Sequence, residues 1–324
     1  MKPRQLAALL LLGAIWGASF LFMKLAVRSD AAPYNFPPAT LADIRMGLAA
    51  VVLYALMKFR GRHFPWHRWR GLAVLGLINA ALPYFFFSWG EQHINSNLAA
   101  IYNATTPLWS VLLAWWFVRE ERLSGLRSAG VVLGFAGVLY LFSGSLVGPQ
   151  GGDPLSIWGQ LVCIAAGMSY ACANMWTRRR LRGIEPMALS TGQLIFGACW
   201  ALPVSLFVDH PWSIAPSTTA IAALATLSLL GTGVAMLIFF WLLGQVGSTR
   251  TAQVTFLLPL FGLFWGTLIG ETITPRIVGS LALILAGVVV VNGGLDLILR
   301  RRPKAVIDSR KTVASRENRD TSNL

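Results

Sequence analysis

Leu11-Leu12-Gly13-Ala14-Ile15-Trp16-Gly17-Ala18-Ser19-Phe20 is an apolar run broken only by small residues, and it returns as Leu161-Val162-Cys163-Ile164-Ala165-Ala166-Gly167-Met168-Ser169-Tyr170. Gly17, Ser19 and Phe20 fall on Gly167, Ser169 and Tyr170. Further along, Thr106-Pro107-Leu108 falls on Leu258-Pro259-Leu260, and Ala136-Gly137-Val138 on Ala286-Gly287-Val288. Each proline is followed by an acidic residue, Glu121 in one case and Glu271 in the other, with a small indel between. Self-similarity of this kind marks a chain built from two copies of one unit.

Working outward from these anchors, ten stretches are long and apolar enough to cross a membrane: roughly 6–26, 38–58, 71–91, 97–118, 127–146, 156–177, 187–208, 218–242, 248–270 and 275–297. Each has about the 20 residues that span ~30 Å of hydrocarbon at ~1.5 Å per residue. A soluble helical protein needs polar faces, and a chain that is 55% hydrophobic with mean hydropathy +0.60 has too few polar residues to build them. Five spans per copy is an odd number, so the second copy lies upside down relative to the first. The expected fold class is an all-α integral membrane protein of ten transmembrane helices in two inverted five-helix repeats, the architecture of many secondary transporters. The repeats are expected at 1–146 and 147–298, with a disordered, basic, cytoplasmic tail at 299–324.

Charge sets the orientation. With the N-terminus in the cytoplasm, 23 of the 27 Lys and Arg residues lie inside or at an inner span edge, from Lys2 and Arg4 to the tail beyond Arg300. Arg28 and Arg276 fall outside, and Lys24 and Arg45 within spans. That bias follows the positive-inside rule and predicts two cytoplasmic termini in a plasma membrane, the bacterial inner membrane. It also accounts for the net charge of +14 without a nucleic-acid partner. The basic start is no cleavable leader, because the apolar run continues past Phe22 without a clean small-residue cleavage site. Cys163, Cys172 and Cys199 have no metal spacing and read as small core residues.

Ionisable residues deep in a bilayer are costly and mark ion routes. Lys24, Asp43 and Arg45 lie near the outer ends of their spans, where snorkelling or a local ion pair is the preferred reading over a substrate role. Glu120, Glu121 and Glu271 sit at helix ends as capping or loop groups. No mid-span carboxylate offers a proton site. Polar and aromatic side chains inside the spans are therefore the candidates for lining a path: Trp16 and Ser19 in the first span; Asn79, Tyr84 and Trp89 in the third; Tyr102, Asn103 and Thr106 in the fourth. Tyr170 and Asn174 share a face of the sixth, Thr232 and Trp241 mark the eighth, and Gln253 and Thr255 the ninth. Asn103 aligns with Thr255 in the repeat. Helix–helix hydrogen bonding, worth about 0.6 kcal/mol on average, competes with this reading for any single hydroxyl. Pro107 and Pro259 should bend their helices and are hinge or gate candidates. Gly130 and Gly134, and Gly262, Gly266 and Gly270, form Gly-x-x-x-Gly seams for close packing or a homo-oligomer contact.

Gly-x-x-Trp-Gly-x-Ser-Phe at 13–20 with Lys24 resembles the first span of the EamA family of the drug/metabolite transporter superfamily. Asn97-Leu98-Ala99-Ala100-Ile101 through Pro107 to Glu121-Arg122-Leu123 is similar to that family too. So is Gly247-Ser248-Thr249-Arg250-Thr251 through Pro259 to Gly270-Glu271, then Gly279 and Gly287. The resemblance covers about 5–297. It implies ten helices, cytoplasmic termini, movement of small metabolites, and a central cavity lined mainly by the first, third, fourth, sixth, eighth and ninth spans.

The expected function is a secondary-active transporter of small metabolites, amino acids or related amphipathic compounds and drugs, in the efflux direction, by alternating access. No Gly-rich phosphate loop ending in Lys-Ser/Thr is present, so nucleotide hydrolysis is not the direct drive. A membrane-embedded lipid-modifying enzyme would need a clustered nucleophile or acid–base site, and His63, His67, His93 and His210 all read as loop residues. A receptor or scaffold would carry a larger soluble part. The expected partners are a small-molecule substrate and the lipid bilayer; no catalytic residue, cofactor or metal is called for.

Overall fold

The computed structural model describes residues 1–29, 32, 33, 35–117, 125–147 and 154–292. Glu120, Glu121 and the expected tail at 299–324 lie outside them. The described chain is helical: α1 Pro3–Ala26, α2 Pro38–Phe59, α3 Trp69–Gly76, α4 Leu82–His93, α5 Ser96–Asn103, α6 Thr106–Phe117, α7 Gly125–Val147, α8 Pro154–Arg180, α9 Pro186–Val204, α10 Thr218–Ser228, α11 Ala235–Thr251, α12 Val254–Leu268 and α13 Pro275–Val291. Proline opens five of these helices, at the position where its missing N–H has no intrahelical acceptor anyway. The Ser217 and Thr274 side chains cap α10 and α13 by accepting from the N–H groups of Ala220 and Ile277.

These helices make ten spans. α3 and α4 join through a π-helical segment, Leu77–Ala81, and α10 and α11 through a second one, Leu229–Val234. α5 and α6 together form the fourth span. The ninth and tenth are α12 and α13, shorter than the rest. Pro107 was expected to bend the fourth span; the helix breaks outright at Ala104–Thr105, and Pro107, in the first turn of α6, has no N–H to bond back to Asn103 at the end of α5. Pro259 behaves differently. It sits inside continuous α12, and the chain interrupts earlier, at Gly247 (φ 77°, ψ 172°). Only glycine enters that region without steric penalty.

The packing exchanges the first helix of each half. α1 lies against α10, α11 and α12 of the second half, and α8 against α4, α5 and α6 of the first. α2 packs on α9 and α7 on α13, each pair joining equivalent helices of the two halves. The aligned glycines make equivalent contacts: Gly17 abuts Phe261 and Gly262 of α12, while Gly167 abuts Tyr102, Thr105 and Thr106. The molecule is therefore an all-α membrane protein of two inverted repeats. The glycine seams are filled from within the chain. Gly130 and Gly134 meet Gly287, Gly262 meets Ala100 and Gly266 meets Glu271 and Asn97, so these five are spent on internal packing, while Gly270 is exposed. Trp66, Trp69, Trp158 and Trp212 are exposed near span ends, as interfacial residues should be.

Candidate functional site

The π-helical segments are the first sign of where the interior does something other than pack. Such segments leave carbonyls without their usual i+4 donor and recur at functional positions. Of the three among the described residues, Ser205–Asp209 ends the seventh span, while Leu77–Ala81 and Leu229–Val234 occupy equivalent places in the two halves, and the aligned serines meet these two. Ser169 Oγ donates to the Ile78 carbonyl at 2.6 Å, and the Ser19 side chain lies against Gly231. Asn79, in the first segment, donates through Nδ2 to Gln193 Oε1 at 2.5 Å. Thr232, at the centre of the Thr218–Ser248 span, belongs to the second.

Arg45 reaches the second segment from α2. Its Nε donates to Thr232 Oγ1 at 3.2 Å, and its guanidinium carbon stands 4.1 Å from the centroid of the Tyr84 ring. Snorkelling to an interface does not describe this residue. It is only 8% exposed and turned toward the middle of the bundle. Beside it an aromatic ladder crosses three helices: Tyr170 stacks on Phe87 at 6.3 Å, and Phe87 meets Phe20 edge-on at 5.5 Å.

A second polar cluster ties together the end of the bundle away from residue 3. Lys24 Nζ donates to the carbonyl oxygens of Glu91 at 2.5 Å and Ile94 at 2.8 Å, across the C-terminus of α4. The Glu271 carboxylate accepts from the N–H groups of Ser96 at 2.6 Å and Asn97 at 2.9 Å, opening α5. Asn35 Oδ1 accepts from the N–H and hydroxyl of Ser217, and Asp209 accepts from the N–H and hydroxyl of Thr40. The last three links each join one half to the other. Glu91 was missed by sequence reading, which ended the third span at that residue. The helix continues to His93, and Glu91 is fully buried with no hydrogen bond to either carboxylate oxygen among the described residues. His93 is likewise helical and lies edge-on to Trp89 at 4.7 Å.

The candidate residues separate into groups. Tyr84, Tyr170, Asn79 and Ser19 gather around the π-helical segments. Trp16 is half-buried with its ring 5.7 Å from Phe239. Tyr102 is fully buried, and its hydroxyl donates to Gln160 Oε1 at 2.5 Å, which ties α5 to α8. Its neighbour Asn103 is half-buried, makes no side-chain hydrogen bond among the described residues, and accepts at its carbonyl from Thr106 Oγ1 at 2.8 Å. Asn174 is exposed and Trp241 45% exposed. Gln253 lines a different feature, an apolar groove of about 260 Å³ with Leu6, Leu9, Leu10, Phe256, Leu257 and Val289. Thr255 is exposed and donates to the carbonyl of Ala252.

Two stretches, residues 4–143 and 157–293, each match the model of the EamA-like transporter family. The chain is 27% identical over 301 residues to "Uncharacterized inner membrane transporter YedA" of Escherichia coli (strain K12), covering 91% of this chain and 94% of that one. It is 22% identical over 277 residues to "Uncharacterized transporter YoaV" of Bacillus subtilis (strain 168), covering 85% and 91%. "WAT1-related protein At3g02690, chloroplastic" of Arabidopsis thaliana is 26% identical over 286 residues, 86% of this chain and 66% of that protein. A solved crystal structure superposes with a TM-score of 0.61 at 20% identity, covering 94% of this chain and all of the other; at that identity the likeness is one of fold.

Proposed function

Because the chain belongs to the EamA-like transporter family, we propose that it is a secondary-active exporter of amino acids or related amphipathic metabolites in a bacterial inner membrane. It works by alternating access, with both termini in the cytoplasm. The observation that carries this reading is the exchange of α1 and α8 between the halves. A pair of inverted units that grip each other in this way has two asymmetric arrangements related by the pseudo-two-fold axis, each open to one side. The arrangement described above is the one whose α4–α5 end is tied shut, by Lys24 and Glu271 among others. Under the positive-inside assignment that end is the outer one.

Substrate contacts fall to the residues around the π-helical segments and the fourth span: Tyr84, Tyr170, Asn79 and Asn103. Aromatic faces supply contact area for an amphipathic solute and a few amide groups set its orientation. The break before Pro107 is the hinge, since two short helices meeting at Ala104–Thr105 can change angle without losing ladder bonds. The test is counterflow of a labelled panel of amino acids and amphipathic amines into proteoliposomes, with and without an imposed proton gradient. Saturable movement of at least one panel member above empty liposomes is expected. No movement of any member, in either direction, would remove the transport reading.

A further inference from the structure

A buried guanidinium ordinarily finds a carboxylate, because an uncompensated charge is costly in a desolvated interior. Arg45 has none. Among the described residues it makes one hydrogen bond, through Nε to Thr232. Its nearest ring partner, Tyr84, takes the flat face of the group and leaves the fork of Nη1 and Nη2 without an acceptor. Among the described residues neither Asp43, two residues away on α2, nor Glu91 comes within ion-pair distance of it, although the buried Glu91 side chain lies near enough to feel its charge. The cation is held firmly: Tyr84 is 9% exposed and Thr232 1%, and they belong to opposite halves. Stacking plus an Nε anchor fixes the plane of the guanidinium and presents its remaining donors in the geometry that matches a carboxylate two-on-two.

We propose that Arg45 is the anchor for the carboxylate of the transported solute. This rests on the transport reading and adds the substrate class to it: small organic acids and amino acids, with amines that lack the carboxylate excluded. The position explains the recruitment of both repeats. An anion drawn to Arg45 sits against the π-helical segment of the second half while Tyr84 and the Tyr170–Phe87 pair border it from α4 and α8. Occupancy then ties the two halves at mid-membrane, which is where a solute must act to bias one arrangement over the other.

The test compares probes that differ only in the carboxylate. Thermal unfolding of the full chain in lipid-free micelles is followed by tryptophan fluorescence with L-phenylalanine, 3-phenylpropanoate and 2-phenylethylamine, and with L-leucine and isoamylamine. At least one carboxylate should raise the midpoint and its amine should not. Arg45→Lys should weaken the apparent affinity about ten-fold or more, the loss expected when a charge-assisted, two-bonded contact becomes a point-charge contact, and Arg45→Met should abolish the shift. Equal stabilisation by amines, no shift with either carboxylate, or an undiminished shift in Arg45→Met overturns the proposal. The wild-type comparison stands even where a variant fails to fold. A shift with inorganic phosphate alone, or one lost when phosphatidylglycerol is added, gives the guanidinium to a phosphate or a lipid headgroup instead and also overturns it. Counterflow that ignores the carboxylate sinks this site and leaves transport standing; carboxylate binding without any flux does the reverse.

Discussion

The Glu271 carboxylate spans the N-terminus of the helix that begins at Ser96, with one oxygen 2.6 Å from the Ser96 nitrogen and the other 2.9 Å from that of Asn97. A carboxylate there satisfies two donors that the helix cannot, and it meets the positive end of the helix dipole. Gly266 makes room for it, since a Cβ at that position would strike Glu271 Oε2. Under the alternating-access proposal this contact is a latch between the halves. Glu271→Gln keeps the shape and removes the charge, so the latch should weaken by about 1.5–3 kcal/mol. Ile94→Cys, buried in the wild-type arrangement, should then react with an impermeant maleimide about ten-fold faster than in the parent background. An unchanged labelling rate would mean that this end does not open.

Lys24 and Glu91 make a second prediction about the same end. The ammonium is the nearer of two cations that Glu91 feels, hydrogen-bonded to that residue's own carbonyl, while both side-chain oxygens lack a hydrogen bond among the described residues. Lys24→Met should destabilise the fold by roughly 3 kcal/mol, because it removes two charge-assisted hydrogen bonds to the Glu91 and Ile94 carbonyls and a cation beside the buried Glu91 side chain. Adding Glu91→Gln should recover a large part of that loss, a positive coupling in a double-mutant cycle of unfolding midpoints. Additive effects would show that the two groups do not sense each other.

How much of this was legible beforehand can be judged residue by residue. The equivalence of Gly17 with Gly167 and of Ser19 with Ser169 came from alignment, and the packing honours both, because a span's hydrophobic pattern and its small residues are written locally. The π-helical segments were not legible. A one-residue widening of a helix leaves its apolar pattern nearly unchanged, so nothing in Leu77–Ala81 or Leu229–Val234 announces it. Arg45 and Glu91 were misjudged for a related reason. Distance along a span says how near the interface a residue starts. It does not say which way the side chain turns, and that is decided by partners such as Thr232 and Tyr84 from distant segments.

Tyr102 and Asn103 are neighbours that look alike as pocket residues in sequence and differ in the fold. Tyr102→Phe deletes a buried bond to Gln160 and should cost about 1–2 kcal/mol of stability while leaving flux per folded molecule near wild type. Asn103→Ala removes an amide with no side-chain partner among the described residues, so stability should hold while flux falls. Reconstitution at matched folded yield separates the two outcomes. Flux lost in Tyr102→Phe and kept in Asn103→Ala would reverse the assignment.

Gly287 tests the packing that the rest depends on. α13 crosses α7 so closely that a Cβ on Gly287 would meet the Gly130 carbonyl and the Gly134 nitrogen and Cα, all of them backbone atoms. Backbone cannot rotate aside as a side-chain tip can, so Gly287→Ala must separate the helices. Overpacking of this kind typically costs about 1–3 kcal/mol, and separation would also loosen Leu108, whose side chain lies against Gly134. Gly279→Ala, on the same helix, is the control: its Cβ would meet only the ring edge of Tyr140 at 3.3 Å. The unfolding midpoint should fall clearly for Gly287→Ala and little for Gly279→Ala. Equal midpoints would place the α7–α13 contact further apart than described.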